Sequence, residues 1–206
     1  MSHLPRRALA AAALAALLVG CGGPGATTGS SATGTPAHPP SSAAPPAAKS
    51  VSAVGRSTPV RLRIPAIGVD TPVMELGLAG DGSVQVPPIE AHDRAGWYEH
   101  SPTPGRTGPS VILGHVTVGA YGDGVFRHLG ELHRGGKIDV RLKNGTTAEF
   151  TVTDVRTVAK ADFPSDEVYG NVDRPELRLI TCGGKRTGDG YLDNVIVFAV
   201  LSSATP

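Results

Sequence analysis

From residue 60 to residue 201 the chain consists of short apolar and β-branched runs, separated by Gly, Pro and Asp-Gly pairs. This spacing is typical of strands joined by tight turns, because Gly and Asp adopt turn conformations that β-branched residues avoid. Helical periodicity is nearly absent, and residues 125–132 offer only one short candidate turn. The pattern predicts a mostly β domain, a mostly antiparallel closed barrel of about eight strands with short helical turns. The predicted strands are residues 60–64, 71–76, 83–86, 110–113, 137–142, 147–158, 176–181 and 194–201.

One connection is specific enough to predict a hairpin. Lys143-Asn144-Gly145 lies between two of the apolar runs. Asn and Gly accept the positive φ angles of a type I′ turn, which suits the twist of two antiparallel strands. We therefore expect the strands on either side of this tripeptide to pair directly.

Size and charge exclude several function classes. The β-rich part has about 140 residues, enough for one core without disulfides. The whole chain carries 19 Lys and Arg against 18 Asp and Glu, so it lacks the basic surface that nucleic-acid binding needs. Its longest apolar run, residues 8–19, is shorter than the roughly 18 to 20 residues of a membrane-spanning helix.

The N-terminus has the features of an export signal. Arg6 and Arg7 precede the apolar run, and small residues follow it. Leu18-Val19-Gly20-Cys21 resembles a bacterial lipobox, in which the Cys21 thiol would be acylated before cleavage leaves it as the first residue. Two acyl chains would suffice for stable membrane anchoring. The alternative is an ordinary signal peptide cleaved after Gly20 or Ala26, with Cys21 as a bystander.

The following segment has the composition of a linker. Residues 22–58 are almost entirely Gly, Ala, Ser, Thr and Pro, with Lys49 and Arg56 as their only charges. Such a segment cannot bury a core. It would span about 30 to 40 Å as a flexible coil. The sequence thus predicts a signal peptide (1–20), a lipid-anchored disordered linker (21–58), a folded domain (59–202) and a short tail (203–206).

Two predicted strands end at a reactive side chain beside small residues. Ser110-Val-Ile-Leu-Gly leads to His115, and Leu177-Arg-Leu-Ile-Thr leads to Cys182 and two glycines. Strand ends are rigid positions for functional groups. Composition alone leaves two interpretations of Cys182 equally open, a nucleophile or a small buried core residue. No HxH, HExxH or CxxC spacing occurs, so we expect neither a metal site nor a cofactor.

These segments resemble the sortase family, most closely its actinobacterial class F group. The resemblance rests on residues 111–116 (VILGHV), 177–184 (LRLITCGG) and 191–199 (YLDNVIVFA), with Gly96-Trp97-Tyr98 also fitting. It spans nearly all of residues 59–202 in the family's order and spacing. It implies an eight-stranded sortase barrel and a cysteine transpeptidase that joins proteins bearing an LPxTG-like C-terminal signal to an amine of a cell-wall precursor or a pilin.

The resemblance also assigns roles to individual residues. Cys182 would attack the carbonyl of the Thr-Gly bond and form a thioacyl enzyme. His115 would protonate the leaving amine and then accept a proton from the incoming amine. The Gly183 amide would stabilise the oxyanion, and Thr181 would line the site. Residues 160–176 would form the loop over the substrate groove.

The chain departs from the family at one catalytic position. Most sortases place an arginine at the start of the last strand, where this chain has Asn194, and class F relatives place one where this chain has Leu192. An Asn amide donates a hydrogen bond without the charge that strengthens it. Arg186 and Lys185, which follow Cys182 closely, could supply a cation, or they could be solvated loop charges.

The missing arginine keeps a second function open. Beside the transpeptidase, the sequence allows a non-catalytic or hydrolytic surface protein that uses a sortase-like groove to bind peptides. The export signal places either protein outside the cell, lipid-anchored on the outer face of the cytoplasmic membrane. We expect surface proteins with a sorting signal, an amine acceptor and the membrane as partners, and no nucleic acid.

Overall fold

A computed structural model describes residues 54–188 and 190–206. Its elements are β1 (Pro59–Ile64), β2 (Val69–Leu76), β3 (Ala95–Tyr98), β4 (Gly108–Leu113), β5 (Thr117–Val118), β6 (Gly122–Asp123), β7 (Lys137–Leu142), β8 (Thr147–Ala159), α1 (Ser165–Tyr169), β9 (Pro175–Thr187) and β10 (Gly190–Thr205). Strands β1-β2-β3-β4-β9-β10-β8-β7 close into a barrel in that order, while β5 pairs with β6. The predicted eight-stranded, mostly β barrel with short helical turns is confirmed.

The barrel is antiparallel except at two places. Strand β2 runs parallel to β3, and β4 runs parallel to β9. A parallel pair needs a long crossover between its strands. The crossover from β4 to β9 contains four strands and α1. As a result, β4 and β9 both point their C-terminal ends toward the same rim of the barrel.

The barrel core follows the alternation of the strands. In β7, Ile138, Val140 and Leu142 are buried while their neighbours are at least partly exposed. The same pattern continues in β8 with Ala148 and Phe150. Side chains of a strand point alternately to opposite faces, so these residues fill the interior.

Strands β4 and β9 differ because they are buried on both faces. In β9 the inward residues Leu177 and Leu179 join the barrel core, whereas Ile180 belongs to a second cluster outside the barrel. Val168 of α1 is fully buried in that outer cluster. Double burial explains why these two strands read as nearly continuous apolar runs.

Several local predictions need correction. Residues 83–86 form no strand, only an isolated bridge between Leu78 and Val84. Strands β3, β5 and β6 and helix α1 were not predicted, because each is too short to show a periodic pattern. Within the helical candidate 125–132, a single 3-10 turn forms at Leu129–Glu131.

The β7–β8 hairpin is confirmed, but its turn differs from the predicted type. The Gly145 amide donates to the Leu142 carbonyl at 3.0 Å, which places the turn one residue earlier than an Asn-Gly centre. Gly145 follows with φ +91°, and the Asn144 side chain accepts from the Thr146 amide at 3.1 Å. This is the pattern of a turn followed by a glycine bulge rather than type I′.

The folded unit is longer than the predicted range of 59–202. The Val54 amide donates to the Gly105 carbonyl at 2.9 Å, and the Asn144 amide donates to Ser57 Oγ at 3.0 Å. Strand β10 continues to Thr205, so most of the predicted tail is part of the sheet. The predicted signal peptide and the linker up to residue 53 lie outside the described residues. Within the described residues, no helix is long and apolar enough to cross a membrane.

Candidate active site

The parallel pairing of β4 and β9 directs the chains that carry the two predicted reactive residues to the same rim of the barrel. Leu113 is registered with Ile180, and the Gly114 amide continues the ladder by donating to the Ile180 carbonyl at 3.1 Å. One further step of two residues along each chain leads to His115 and Cys182. Both side chains are half-buried. Both chains therefore lead to the same rim of the barrel, where His115 and Cys182 follow the last registered pair.

Cys182 lies on the outer face of the barrel. It is two residues beyond Ile180, whose side chain belongs to the outer cluster, and alternation carries Cys182 to the same face. In the antiparallel pair with β10, Cys182 is registered with Asn194. Directly paired residues have Cβ atoms about 4.5–5.5 Å apart on one face. Asn194 is thus the β10 side chain nearest to Cys182 by register.

His115 is held at both its backbone and its ring. Its carbonyl accepts from the Phe126 amide at 2.8 Å, and its ring Nε2 lies 2.6 Å from the Pro87 carbonyl oxygen. Because a carbonyl oxygen only accepts, Nε2 is the donor. Pro87 was not among the predicted site residues, since nothing local to residue 115 indicates a contact across 28 positions.

Thr181 lies on the opposite face from Cys182. It is 4% exposed, and its hydroxyl donates to the Gly114 carbonyl at 2.7 Å. Instead of presenting its side chain to the groove, it joins β9 to the chain immediately before His115. The structure thus places Thr181 where it can hold the two reactive residues in register.

The two glycines after Cys182 have separate structural causes. A Cβ on Gly183 would lie 2.6 Å from Val195 Cγ2, so this position packs too closely for a side chain. Gly184 has φ +71°, and a side chain there would collide with Asp193. The pairing of β9 with β10 shifts register at this point. A glycine with positive φ at a register shift is typical of a β-bulge, which is frequent beside active sites.

The bulge sets the position of Arg186. Beyond it, Arg186 is registered with Tyr191, and its guanidinium carbon lies 5.9 Å from the centre of the Tyr191 ring. The Tyr191 hydroxyl is 2.7 Å from Thr117 Oγ1, two residues after His115. Arg186 is therefore connected to the His115 segment through one aromatic ring. Arg186 and Lys185, the other cation considered from the sequence, are both exposed.

Helix α1 lies against the outer face of the barrel, within the segment 160–176. Glu167 accepts from Arg156 at 2.7 Å through its carboxylate and from Arg178 at 3.2 Å through its carbonyl. The guanidinium carbons of both arginines lie 4.6 Å from the centre of the Phe198 ring. Two cations stacked on one ring and bonded to the same helix residue fix α1 against the sheet.

The buried charge of Arg178 is neutralised by its own strand. Arg178 is 3% exposed and donates to Glu176 at 2.6 Å, while Arg174 donates to the other Glu176 oxygen at 2.6 Å. Burial acts to raise the pKa of Glu176, but these two hydrogen bonds outweigh it and lower the pKa below its ordinary value. This ion pair was not predicted, because in the sequence it reads as two charges within an apolar run.

An aromatic cluster lies beside α1. The Tyr169 ring is 6.2 Å from Phe163 and 6.5 Å from Tyr98, measured between ring centres. Burial raises the pKa of Tyr169 above its ordinary value, and Tyr98 adds to the effect. Tyr169 therefore stays neutral at physiological pH and presents an apolar ring with a polar edge.

Five surface depressions of about 290–560 Å³ within the described residues are lined by neither His115 nor Cys182. One of about 560 Å³ is lined by residues that include His100, Arg106 and Asn171. Within the described residues, no group of three His, Cys, Asp or Glu side chains could hold a metal ion.

A family model identifies the family of this barrel. The model of the sortase domain matches residues 62–202. The chain belongs to the sortase family. A search of curated protein sequences found no significant match.

Solved sortase structures share the barrel. The SrtA sortase from Actinomyces oris is 25% identical, with a TM-score of 0.52, over 80% of this chain and 89% of that one. Sortase A from Listeria monocytogenes is 17% identical, with a TM-score of 0.54, over 72% and 90%. Sortase C from Streptococcus pneumoniae is 19% identical, with a TM-score of 0.54, over 72% and 68%. These neighbours belong to different sortase classes and agree in fold.

Proposed function

We propose that this sortase is a cysteine transpeptidase of the class F type, with Cys182 as nucleophile and His115 as acid and base. One observation carries the proposal. The parallel register of β4 and β9 leads both chains to one rim, where the only described cysteine follows β9's Thr181 and a histidine with a bonded ring follows Gly114. A nucleophile within reach of an oriented base is the general signature of covalent catalysis.

The reaction follows from these positions. The Cys182 thiolate attacks the carbonyl carbon of the Thr-Gly bond in an LPxTG-like signal, and the tetrahedral intermediate collapses as protonated His115 gives its proton to the departing glycine amine. An amine then attacks the thioacyl carbonyl, and its proton passes to His115 as the Cys182 thiolate leaves. Water in place of the amine would give hydrolysis by the same steps.

Transition-state stabilisation is shared among weaker donors than the arginine of other sortases. Asn194 is registered with Cys182, and Gly183 carries the next backbone amide. Arg186 is the nearby cation, positioned through Tyr191 and Thr117. Loss of one oxyanion donor costs about 2.7–4 kcal/mol in typical enzymes. We therefore expect Arg186→Gln to lower kcat more than Lys185→Gln.

The expected partners are exported proteins with an LPxTG-like C-terminal signal and an amine of a cell-wall precursor or pilin. Sortase C from Streptococcus pneumoniae is described with pilin substrate specificity. The lipobox-like segment ending at Cys21 supports lipid anchoring on the outer face of the cytoplasmic membrane. An anchored enzyme would work at the surface where membrane-bound precursors lie.

Mass spectrometry of a single turnover tests this function. The full chain is mixed with an LPxTG-type peptide, beside Cys182→Ala and His115→Ala, with His128→Ala as a control for an exposed histidine paired with Glu131. We expect a thioacyl adduct on Cys182 in the wild type and in His128→Ala, resolved by an added amine. Peptide binding without any adduct across a panel of sorting motifs would instead favour the non-catalytic peptide-binding protein.

A further inference from the structure

The ring of His115 is oriented by a backbone carbonyl from a distant segment. Nε2 lies 2.6 Å from the Pro87 carbonyl oxygen. A carbonyl oxygen has no proton to donate, so Nε2 carries the hydrogen of this bond. Neutral imidazole holds a single N–H, and Nδ1 is then the unprotonated nitrogen. The two nitrogens diverge around the ring, so Nδ1 points away from Pro87.

Pro87 belongs to a segment that is pinned on both sides, residues 85–93, which we call the strap. At its start, the Gln85 amide donates to the Gly77 carbonyl at 3.0 Å, and the Gly77 amide donates to the Gln85 side chain at 3.0 Å. Near its end, the His92 carbonyl accepts from the Val125 amide at 2.9 Å. The strap thus crosses beside His115 in a defined position.

Within the strap, Pro87 and Pro88 fix the direction of the carbonyl. The ring of Pro87 holds its own φ near −65°, and Pro88 restricts the ψ of Pro87 to extended values. Pro88 in turn accepts from the Ala91 amide at 2.9 Å, which closes a 3-10 turn behind the pair. A carbonyl flanked by two such restrictions has little freedom to turn away from the imidazole.

The backbone of His115 is held by the same segment that holds the strap. The Phe126 amide donates to the His115 carbonyl at 2.8 Å, one residue after the Val125 amide that bonds the strap. A Cβ on Gly124 would collide with the His115 carbonyl, so the two chains lie in close contact there. Residues 124–126 therefore fix the spacing between the strap and His115.

We propose that the Pro87 carbonyl is a positioning group that keeps Nε2 of His115 protonated, so that Nδ1 alone exchanges protons during the reaction. The acid and base role of His115 in this statement rests on the proposed function. Nδ1 takes the Cys182 proton to form the thiolate, gives it to the departing amine, and accepts one from the incoming amine. Nε2 keeps its hydrogen throughout, and its bond to Pro87 strengthens when the ring is charged.

Nitrogen NMR of the full chain with labelled histidine tests the tautomer directly. The His115 signal is assigned by its loss in His115→Gln, and spectra are recorded at a pH where the ring is neutral. We expect the wild type to show only the Nε2–H tautomer. Pro87→Gly/Pro88→Gly frees both dihedral angles of the carbonyl, and Ala91→Gly is the matched control because it loosens the same strap while both prolines, and the Ala91 amide bond to Pro88, remain.

The double variant is expected to show both tautomers and a kcat lowered by about tenfold, the size of losing one hydrogen bond to a charged group. KM should change little, and Ala91→Gly should resemble the wild type. Pro88→Ala, which keeps Pro87 and removes the restriction on its ψ, should shift the tautomer in the same direction to a smaller extent, and it decides the question if the double variant does not fold.

Two results would overturn the proposal. One is an Nδ1–H tautomer or a mixture in the wild type, and the other is a folded double variant with the wild-type tautomer and kcat. If the wild type shows only Nε2–H and yet forms no adduct with any sorting peptide, the positioning role of Pro87 stands and the transpeptidase function fails.

Discussion

Replacing Thr181 by Val removes one hydroxyl and almost nothing else. The Thr181 side chain is 4% exposed and donates to the Gly114 carbonyl at 2.7 Å, directly before His115. Valine has nearly the same shape, so no cavity forms, and the cost is that of a buried acceptor that loses its donor. This penalty is about 1–3 kcal/mol in the free energy of unfolding.

The same change should affect catalysis through the position of His115. The Gly114 amide still bonds to β9, so the strand end loosens without leaving the sheet. Small displacements of a catalytic group cost up to about 100-fold in rate. We expect Thr181→Val to lower kcat by at least tenfold with little change in KM, and to lower the Tm by about 3–10 °C.

Thr181→Ser is the matched control for this prediction. It keeps the hydroxyl and removes one buried methyl group, worth about 0.8 kcal/mol by transfer. We expect a modest loss of Tm and a kcat close to that of the wild type, measured by thermal unfolding and by transfer of a sorting peptide to an amine. The reasoning is refuted if the valine variant keeps full activity, or if the serine variant loses as much as the valine variant.

Three further changes test other parts of the structure. Glu176→Gln leaves the buried Arg178 without its counter-charge and should cost about 3–5 kcal/mol at pH 7 in chemical denaturation. Folding lowers the pKa of Glu176. The stabilisation by its carboxylate is therefore present above the ordinary glutamate pKa of about 4.3 and is lost as the pH falls through the lower folded pKa. A stability difference between wild type and Glu176→Gln that grows on acidification would contradict this role of Glu176. Gly184→Ala should cost at least about 1–2 kcal/mol, since φ +71° is unfavourable for alanine and the new Cβ would collide with Asp193, and an unchanged Tm would argue against the bulge geometry. Tyr191→Phe removes the hydroxyl that contacts β5 and should cost about 1 kcal/mol in the free energy of unfolding. It should also lower kcat if the Tyr191 ring positions Arg186. Wild-type stability and activity in this variant would show that the ring does not position Arg186.

The local patterns of the sequence predicted the elements that are long and alternating. β7 begins and ends where it was expected, and β8 differs by one residue at its end. The prediction failed for β3 and α1, which span only Ala95–Tyr98 and Ser165–Tyr169. Elements this short hold their shape through neighbours and not through their own periodicity, as Val168 in the outer cluster illustrates.

The candidate site was predictable in its residue types but not in its supports. His115 and Cys182 follow apolar runs and carry the family resemblance, so the sequence was enough to select them. Pro87 supports His115 from 28 residues away, and no pattern near either residue indicates the contact. The glycines after Cys182 were expected only as small neighbours, while the structure gives each a packing or backbone reason.

By itself, the sequence determined the mostly β fold class and the β7–β8 hairpin, because these depend on alternation along single strands, and its resemblance to the family selected Cys182 and His115 as candidates. Tertiary structure decided which strands pair and in what register. Where β4 runs beside β9, Thr181 bonds to Gly114, 67 positions earlier in the chain. A pairing between such distant segments is fixed only when the barrel closes around one core. The outward face of Cys182, the burial of Thr181 and the orientation of the His115 ring all follow from that closure.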